Sequence, residues 1–204
     1  MGAEADASGK KGRPRPGLSR KGLTALEIVV AMAIIAILTA VLVPGFRVRQ
    51  QAADAAALVS QLRSLRQAIG NYRNHVGWYP SSLVQLQALP GGGGLARTNS
   101  CGAAVAQATF NARWRGSYFG GLAGVGGMQV GAMTISPALT RTEFTGGRAF
   151  LRISTSEVNV RAAEHVDAAL DGGAFSPTSG AVTWVETGSS GHGTLQYNFP
   201  VEGC

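Results

Sequence analysis

The chain has 204 residues, 45% of them apolar, and a formal net charge of +7, which allows one folded domain with an appendage. Residues 23–204 hold twelve arginines, nine acids and no lysine, so the excess of positive charge does not by itself indicate a nucleic-acid-binding protein. The other six cations all precede residue 22: Lys10, Lys11, Arg13, Arg15, Arg20 and Lys21.

Residues 1–22 are predicted to be a leader without helix. The segment is rich in Gly, Pro, Lys and Arg, and Pro14 and Pro16 interrupt any helical pattern. Basic residues ahead of an apolar span favour a cytoplasmic location for that end. We therefore expect the part of the chain that follows the span to be exported.

Residues 23–46 form an apolar stretch whose one charged residue is Glu27. As a helix the stretch would be roughly 36 Å long, enough to cross a hydrocarbon core of about 30 Å. A carboxylate at the centre of a membrane costs about 2.5–3.5 kcal/mol on insertion scales. Because a carboxylate near the start of the span is costly, we expect Glu27 to have a functional role.

Residues 47–76 continue the helix with a different pattern. Pro44 and Gly45 predict a kink near residues 40–45. Beyond them, apolar residues at spacings of three and four predict one buried face, and Gly77 predicts the end of the helix. That face comprises Val48, Ala52, Ala55, Leu58, Leu62, Leu65, Ile69 and Tyr72.

Residues 77–204 are predicted to be a globular head. A short helix capped by serine is expected within 81–89, and a flexible glycine loop follows Pro90. Partial alternation predicts strands and one helix, so the fold class is α+β, with an antiparallel sheet packed on the apolar face of the long helix. The predicted strands are 128–135, 149–155, 181–186 and 194–199, and the predicted helix is 159–170.

Residues 21–38, which read KGLTALEIVVAMAIIAIL, resemble the class III signal of type IV prepilins. That resemblance implies cleavage after Gly22, methylation of the new amino terminus at Leu23, and a glutamate as fifth residue of the mature chain, here Glu27. Pro44 falls where many pilins have a helix-bending proline. The long leader and Leu23 in place of Phe resemble the type IVb class. We further expect Glu27 to pair with the Leu23 amine of a neighbouring subunit and so set the register of assembly.

Chemistry elsewhere is sparse. In an exported domain, Cys101 and Cys204 predict one disulfide, with two separate thiols as the alternative. His75, His165 and His192 lie far apart along the chain and have no metal-ligand spacing, so we expect no metal, no cofactor and no catalytic residue. Arg113-Trp114-Arg115 could contact DNA, but nucleic acid is not the expected partner.

The sequence thus predicts a structural subunit of a type IV pilus, not an enzyme. Its expected partners are copies of itself, a prepilin peptidase and pilus assembly platform proteins. The precursor would lie in the inner membrane with a cytoplasmic N-terminus and a periplasmic head, and the mature chain in an extracellular pilus. Two alternatives remain: a type II secretion pseudopilin or minor pilin that initiates fibres, and a single-pass membrane protein whose periplasmic head binds a ligand.

Overall fold

The structure is a computed structural model that describes residues 24–88, 97–121, 126–144, 148–187 and 191–202. By its contacts the chain divides into two compact units, Met1–Gly45 and Phe46–Cys204. The predicted leader, Gly22, Leu23 and the glycine loop after Pro90 lie outside the described residues. Their predicted roles stay predictions.

Helix α1 runs from Ala25 to Val76, which confirms the predicted long helix. It is uninterrupted through Pro44 and Gly45, while the kink stays a prediction. Gly77 ends the helix with a φ of +99°, and its amide donates to the carbonyl of Arg73 at 2.8 Å. Among the described residues, α1 is the one helix long and apolar enough to cross a membrane.

The second unit contains a five-stranded antiparallel sheet in the order β1-β2-β3-β5-β4, so the predicted α+β class is confirmed. Inward side chains of the sheet and the buried stripe of α1 belong to one apolar core. The strands are β1 (Met128–Val130), β2 (Met133–Phe144), β3 (Arg148–Asn159), β4 (Val182–Glu186) and β5 (His192–Val201).

The apolar stripe of α1 enters this core from Ala55 onward. Of the predicted face, Ala55, Leu58, Leu62, Leu65, Ile69 and Tyr72 are buried. Val48 remains 55% exposed and Ala52 is also exposed, because the head covers only the later turns. Burial also raises the pKa of the Tyr72 hydroxyl.

The prediction of one strand over 128–135 is wrong, because the chain turns there. A two-residue turn at Gly131 and Ala132 separates β1 from β2, and Val130 pairs with Met133. Gly131 has a φ of +59°, and a Cβ on it would lie 2.5 Å from the carboxylate carbon of Asp54 on α1. A glycine is therefore required both by the turn and by the close approach of the helix.

Strand β2 continues nine residues beyond the predicted end at 135, through Pro137. The register between β2 and β3 shifts between Ile135 and Leu139, and such an irregularity accommodates a residue without an N–H. The proline carbonyl accepts from the amide of Leu83 at 2.8 Å and from the hydroxyl of Ser82 at 3.0 Å. The segment after α1 thus covers this edge of β2.

The short helix after α1 is smaller than predicted. Helix α2 spans Val84–Gln87, and its N-cap residue is Leu83, which lacks a side-chain cap. Ser82 contributes instead by accepting from the amide of Val84 at 3.3 Å. The predicted serine therefore lies one residue before the N-cap position.

Gln85 anchors this segment from inside the protein, where it is only 1% exposed. Its side-chain oxygen accepts from the hydroxyl of Tyr72 and the amide of Ser81, and its amide group donates to Thr98. An amide buried to this extent is tolerated because its hydrogen bonds are satisfied.

Two further helices pack on the head. Helix α3 (Gln107–Arg113) is not anticipated by the sequence pattern. Helix α4 (Val160–Leu170) confirms the predicted helix, and the side chain of Asn159 caps it by accepting from the amide of Ala162 at 2.8 Å. Arg63 of α1 donates to the carbonyl of Ala169 at 2.7 Å, which satisfies one of the free carbonyls at the end of α4. Desolvation, with a smaller contribution from Asp171, raises the pKa of Asp167 on this helix.

Candidate functional site

The first turn of α1 contains a reciprocal pair of side-chain contacts. The Thr24 hydroxyl accepts from the backbone amide of Glu27 at 3.3 Å. The Glu27 Oε2 atom accepts from the amide of Thr24 at 3.1 Å and from its hydroxyl at 3.2 Å. This is the capping-box arrangement, in which a threonine and a glutamate three residues later satisfy each other's free amides.

The capping box changes the expected energetics of Glu27. A lone subunit does not carry a wholly unsatisfied carboxylate, because two donors of its own chain already bind Oε2. The other oxygen, Oε1, accepts no hydrogen bond from any described residue. One oxygen of the carboxylate is thus hydrogen-bonded within the first turn of the helix.

The helix beyond this turn exposes apolar side chains in every direction. Every side chain described between residues 24 and 42 is exposed. Thr39 is the one polar side chain between residues 28 and 46, and its hydroxyl donates to the carbonyls of Ile35 and Ala36, both at 2.9 Å. The surface therefore presents no unpaired side-chain donor and suits lipid or other apolar helices. Its large side chains are Leu26, Ile28, Val29, Val30, Met32, Ile34, Ile35, Ile37, Leu38, Val41, Leu42, Phe46 and Val48.

Three of the predicted site residues, Gly22, Leu23 and Pro44, cannot be compared with the structure at the level of side chains. Gly22 and Leu23 lie outside the described residues, and Pro44 is described only by its backbone. Cleavage at Gly22, methylation of Leu23 and pairing between Leu23 and Glu27 accordingly stay predictions.

Two residues of the Arg113-Trp114-Arg115 segment make contacts within the protein. Arg113 stacks 5.5 Å from the centre of the Trp78 ring and donates to the carbonyl of Val76 at 3.2 Å. Trp114 donates from Nε1 to the carbonyl of Gln85 at 3.4 Å. Arg113 thus satisfies a carbonyl at the C-terminal end of α1, and Trp114 packs against the core of the head.

Cys204 lies outside the described residues, but Ser100 and Glu202 belong to one connected series of contacts near the end of α1. Arg73 donates to the carbonyl of Glu202 at 3.2 Å and stacks 5.0 Å from the Tyr79 ring centre. The carbonyl of Tyr79 in turn accepts from the amide of Ser100 at 3.0 Å. Ser100 precedes Cys101 directly and Glu202 precedes Cys204 by two residues, so these contacts are compatible with the predicted disulfide, which stays a prediction.

The residue that the sequence interpretation missed is Thr24. Its signal was present, because Thr24-Ala25-Leu26-Glu27 has the Thr-x-x-Glu spacing of a capping box at the start of an apolar run.

Comparison with known proteins gives one informative similarity. The chain is 32% identical over 81 residues to type II secretion system core protein G of Pectobacterium carotovorum subsp. carotovorum, which corresponds to 40% of this chain. The match spans about half of that relative, 52% of its length. This similarity supports a relationship of the chain to the pilin and pseudopilin superfamily. No family model matches the chain, and no solved structure matches it.

Proposed function

We propose that this protein is a pilin-like subunit that polymerises through the N-terminal half of α1 and acts by assembly, not by catalysis. The observation that carries the proposal is the row of large apolar side chains from Leu26 to Phe46, which are exposed wherever their burial is described. Leaving such a surface in water costs about 25 cal/mol per Å², so it must be covered both in the membrane and outside it, although the step from lipid to other apolar helices gains no such term. Lipid covers it before assembly, and the same helices of other copies cover it afterwards.

Glu27 gives this assembly its direction. Its Oε2 accepts hydrogen bonds from Thr24 of the same chain. Its Oε1 accepts a hydrogen bond from the amine of Leu23 in a neighbouring copy. A charge-assisted hydrogen bond of this kind is stronger than a neutral one, and it forms in only one relative position of the two helices. We expect a prepilin peptidase to create that amine by cleaving after Gly22 and to methylate it.

Two finer assignments fit this assembly. The resemblance of residues 21–38 favours a type IV pilus subunit of the type IVb kind. The similarity to a type II secretion system core protein favours a secretion pseudopilin. In both, the precursor lies in the inner membrane with a periplasmic head and meets an assembly platform; extracellular location belongs to the pilus alternative.

Mass spectrometry of the mature N-terminus tests the proposal first. A chain that begins at methylated Leu23 is expected, and a chain that retains residues 1–22 would exclude this function.

Replacing Glu27 tests the assembly step. The Glu27→Gln variant keeps the shape of the side chain and loses its charge, and we expect the polymerised fraction to fall about tenfold or more, equivalent to roughly 1.4 kcal/mol. Glu164→Gln on the exposed side of α4 is the matched control and should polymerise normally. Equal polymerisation of the Glu27→Gln variant would exclude the role of this carboxylate.

A deletion strain separates the two finer assignments. Loss of sheared surface filaments with normal protein secretion indicates a pilus subunit. Loss of secretion without loss of surface filaments indicates a pseudopilin.

A further inference from the structure

A cavity lies in the head where α1, the C-terminal end of α4 and strand β5 meet. Its volume is about 380 Å³, which falls within the range of about 300–1,000 Å³ that is common for small-ligand sites. Its described lining is rich in hydrogen-bond donors and contains no acidic side chain. The lining residues are Arg63, Arg66 and Gln67 of α1, Ala169 and Leu170 of α4, and Tyr197 of β5.

Two arginines on neighbouring turns of α1 are fixed to different walls of this cavity. Arg63 donates to the carbonyl of Ala169 at 2.7 Å, and Arg66 donates to the hydroxyl of Tyr197 at 3.2 Å. A guanidinium has several N–H groups, and each of these contacts uses one. The others have no acceptor among the described residues. Both guanidinium groups are therefore held in place with donors left for a ligand.

The hydroxyl of Tyr197 is a further donor. The residue is only 2% exposed, and its hydroxyl accepts from Arg66, so its own proton remains for another acceptor. The part of the chain that the structure describes supplies no such acceptor. A buried donor without a partner is costly, and an acceptor can reach this one from the cavity.

The acids at the C-terminal end of α4 do not neutralise the arginines. Asp171 accepts through Oδ2 from the amide of Ala181 at 2.8 Å. The pKa of Asp167 is raised, first by desolvation and then by Asp171, whereas a guanidinium beside it would lower that pKa. Neither acid forms an ion pair with Arg63 or Arg66. The contact of Arg63 with the last turn of α4 also offsets the partial negative charge of that helix end.

We propose that this cavity binds a phosphate group, either as the free ion or as the ester of a small molecule. A phosphate monoester has a charge of about −1.5 to −2 and several acceptor oxygens that point in different directions, so it can accept from both arginines and from Tyr197 together. A carboxylate has its oxygens in one plane and matches a single guanidinium. The inference goes beyond the proposed function and does not depend on polymerisation.

Calorimetric titration of the full-length chain in micelles of an uncharged maltoside detergent tests the site. Inorganic phosphate and glycerol 3-phosphate are the probes, and acetate at equal ionic strength is the comparison. We expect both phosphates to bind at least about tenfold more tightly than acetate, because they engage two guanidinium groups instead of one. Tighter binding of inorganic phosphate assigns the site to the free ion, and tighter binding of the ester assigns it to a phosphorylated molecule.

Variants of the lining residues locate the binding. Arg63→Gln and Arg66→Gln should each weaken phosphate binding about tenfold, because each removes charge-assisted hydrogen bonds. Tyr197→Phe keeps the buried ring and removes the hydroxyl, and should weaken binding about threefold. Arg49→Gln is the matched control, since it removes the same charge from α1 at a residue that does not line the cavity, and it should bind phosphate as wild type does.

Three results would overturn the inference: a wild-type chain that binds no phosphate, acetate that binds as tightly as phosphate, or equal losses in Arg49→Gln and Arg63→Gln. Arg66→Gln leaves the contact between Arg63 and Ala169 intact and keeps the test decisive if Arg63→Gln does not fold. A chain that binds phosphate but does not polymerise would contradict the proposed function and leave this inference standing.

Discussion

The side chains of Thr24 and Glu27 each accept from the other residue's backbone amide at the start of α1. The glutamate satisfies a free amide at the start of α1 while leaving one oxygen open. This arrangement lowers the cost of placing the carboxylate in an apolar environment, because donors of its own chain partly compensate the charge. The threonine hydroxyl is therefore as much a part of the site as the acid.

The Thr24→Val substitution removes the hydroxyl and keeps the shape of the side chain. Loss of an N-cap costs about 1 kcal/mol, so we expect the amide of Glu27 to exchange its hydrogen about fivefold faster, measured by hydrogen exchange in detergent micelles. The Thr24→Ser variant retains the acceptor and should match wild type. Identical exchange in the valine variant would show that the capping box contributes nothing to the helix end.

Helix α1 is one element with two environments. Its later turns contribute a buried stripe to the core of the head, and its earlier turns expose apolar side chains on all sides. Leucines of the two halves therefore lie in different environments: Leu62 is fully buried, whereas Leu42 is 67% exposed. The later turns therefore contribute to the stability of the head, and under the proposed function the earlier turns contribute to assembly.

A pair of leucine substitutions makes this difference measurable. Leu62→Ala should lower the free energy of unfolding of the head by about 2–5 kcal/mol, because it leaves a cavity in the core. Leu42→Ala should change it by no more than about 0.5 kcal/mol. Fluorescence of Trp78, Trp114 and Trp184, which pack partly buried against the core, reports unfolding of the full chain in detergent. Equal effects of the two substitutions would contradict the division of the helix.

At the scale of the whole molecule, distant parts of the chain meet where α1 ends. Arg73, Tyr79, Ser100 and Glu202 form a connected series of contacts there. A disulfide between Cys101 and Cys204 would close a loop of about 100 residues around this meeting point. It would act chiefly by limiting the unfolded chain.

The Cys101→Ser variant tests this bridge. The chain-entropy model predicts a loss of up to about 4–5 kcal/mol in unfolding free energy, and a reducing agent should have no further effect on the variant. Alkylation without reduction, followed by intact mass measurement, should modify no thiol in wild type. Modification of two thiols would show that the cysteines are separate.

The sequence by itself determined the long helix, its division into an apolar and a one-sided half, the α+β class and the helix after β3. These features follow from local periodicity and from capping residues such as Asn159 and Gly77, which act within a few residues of themselves. Only the tertiary structure decided the turn at Gly131 and the passage of β2 through Pro137, because each depends on a distant neighbour, Asp54 in one case and the segment at Ser82 in the other. The placement of Glu157 and Glu186 at the same end of the sheet likewise arises from strand pairing.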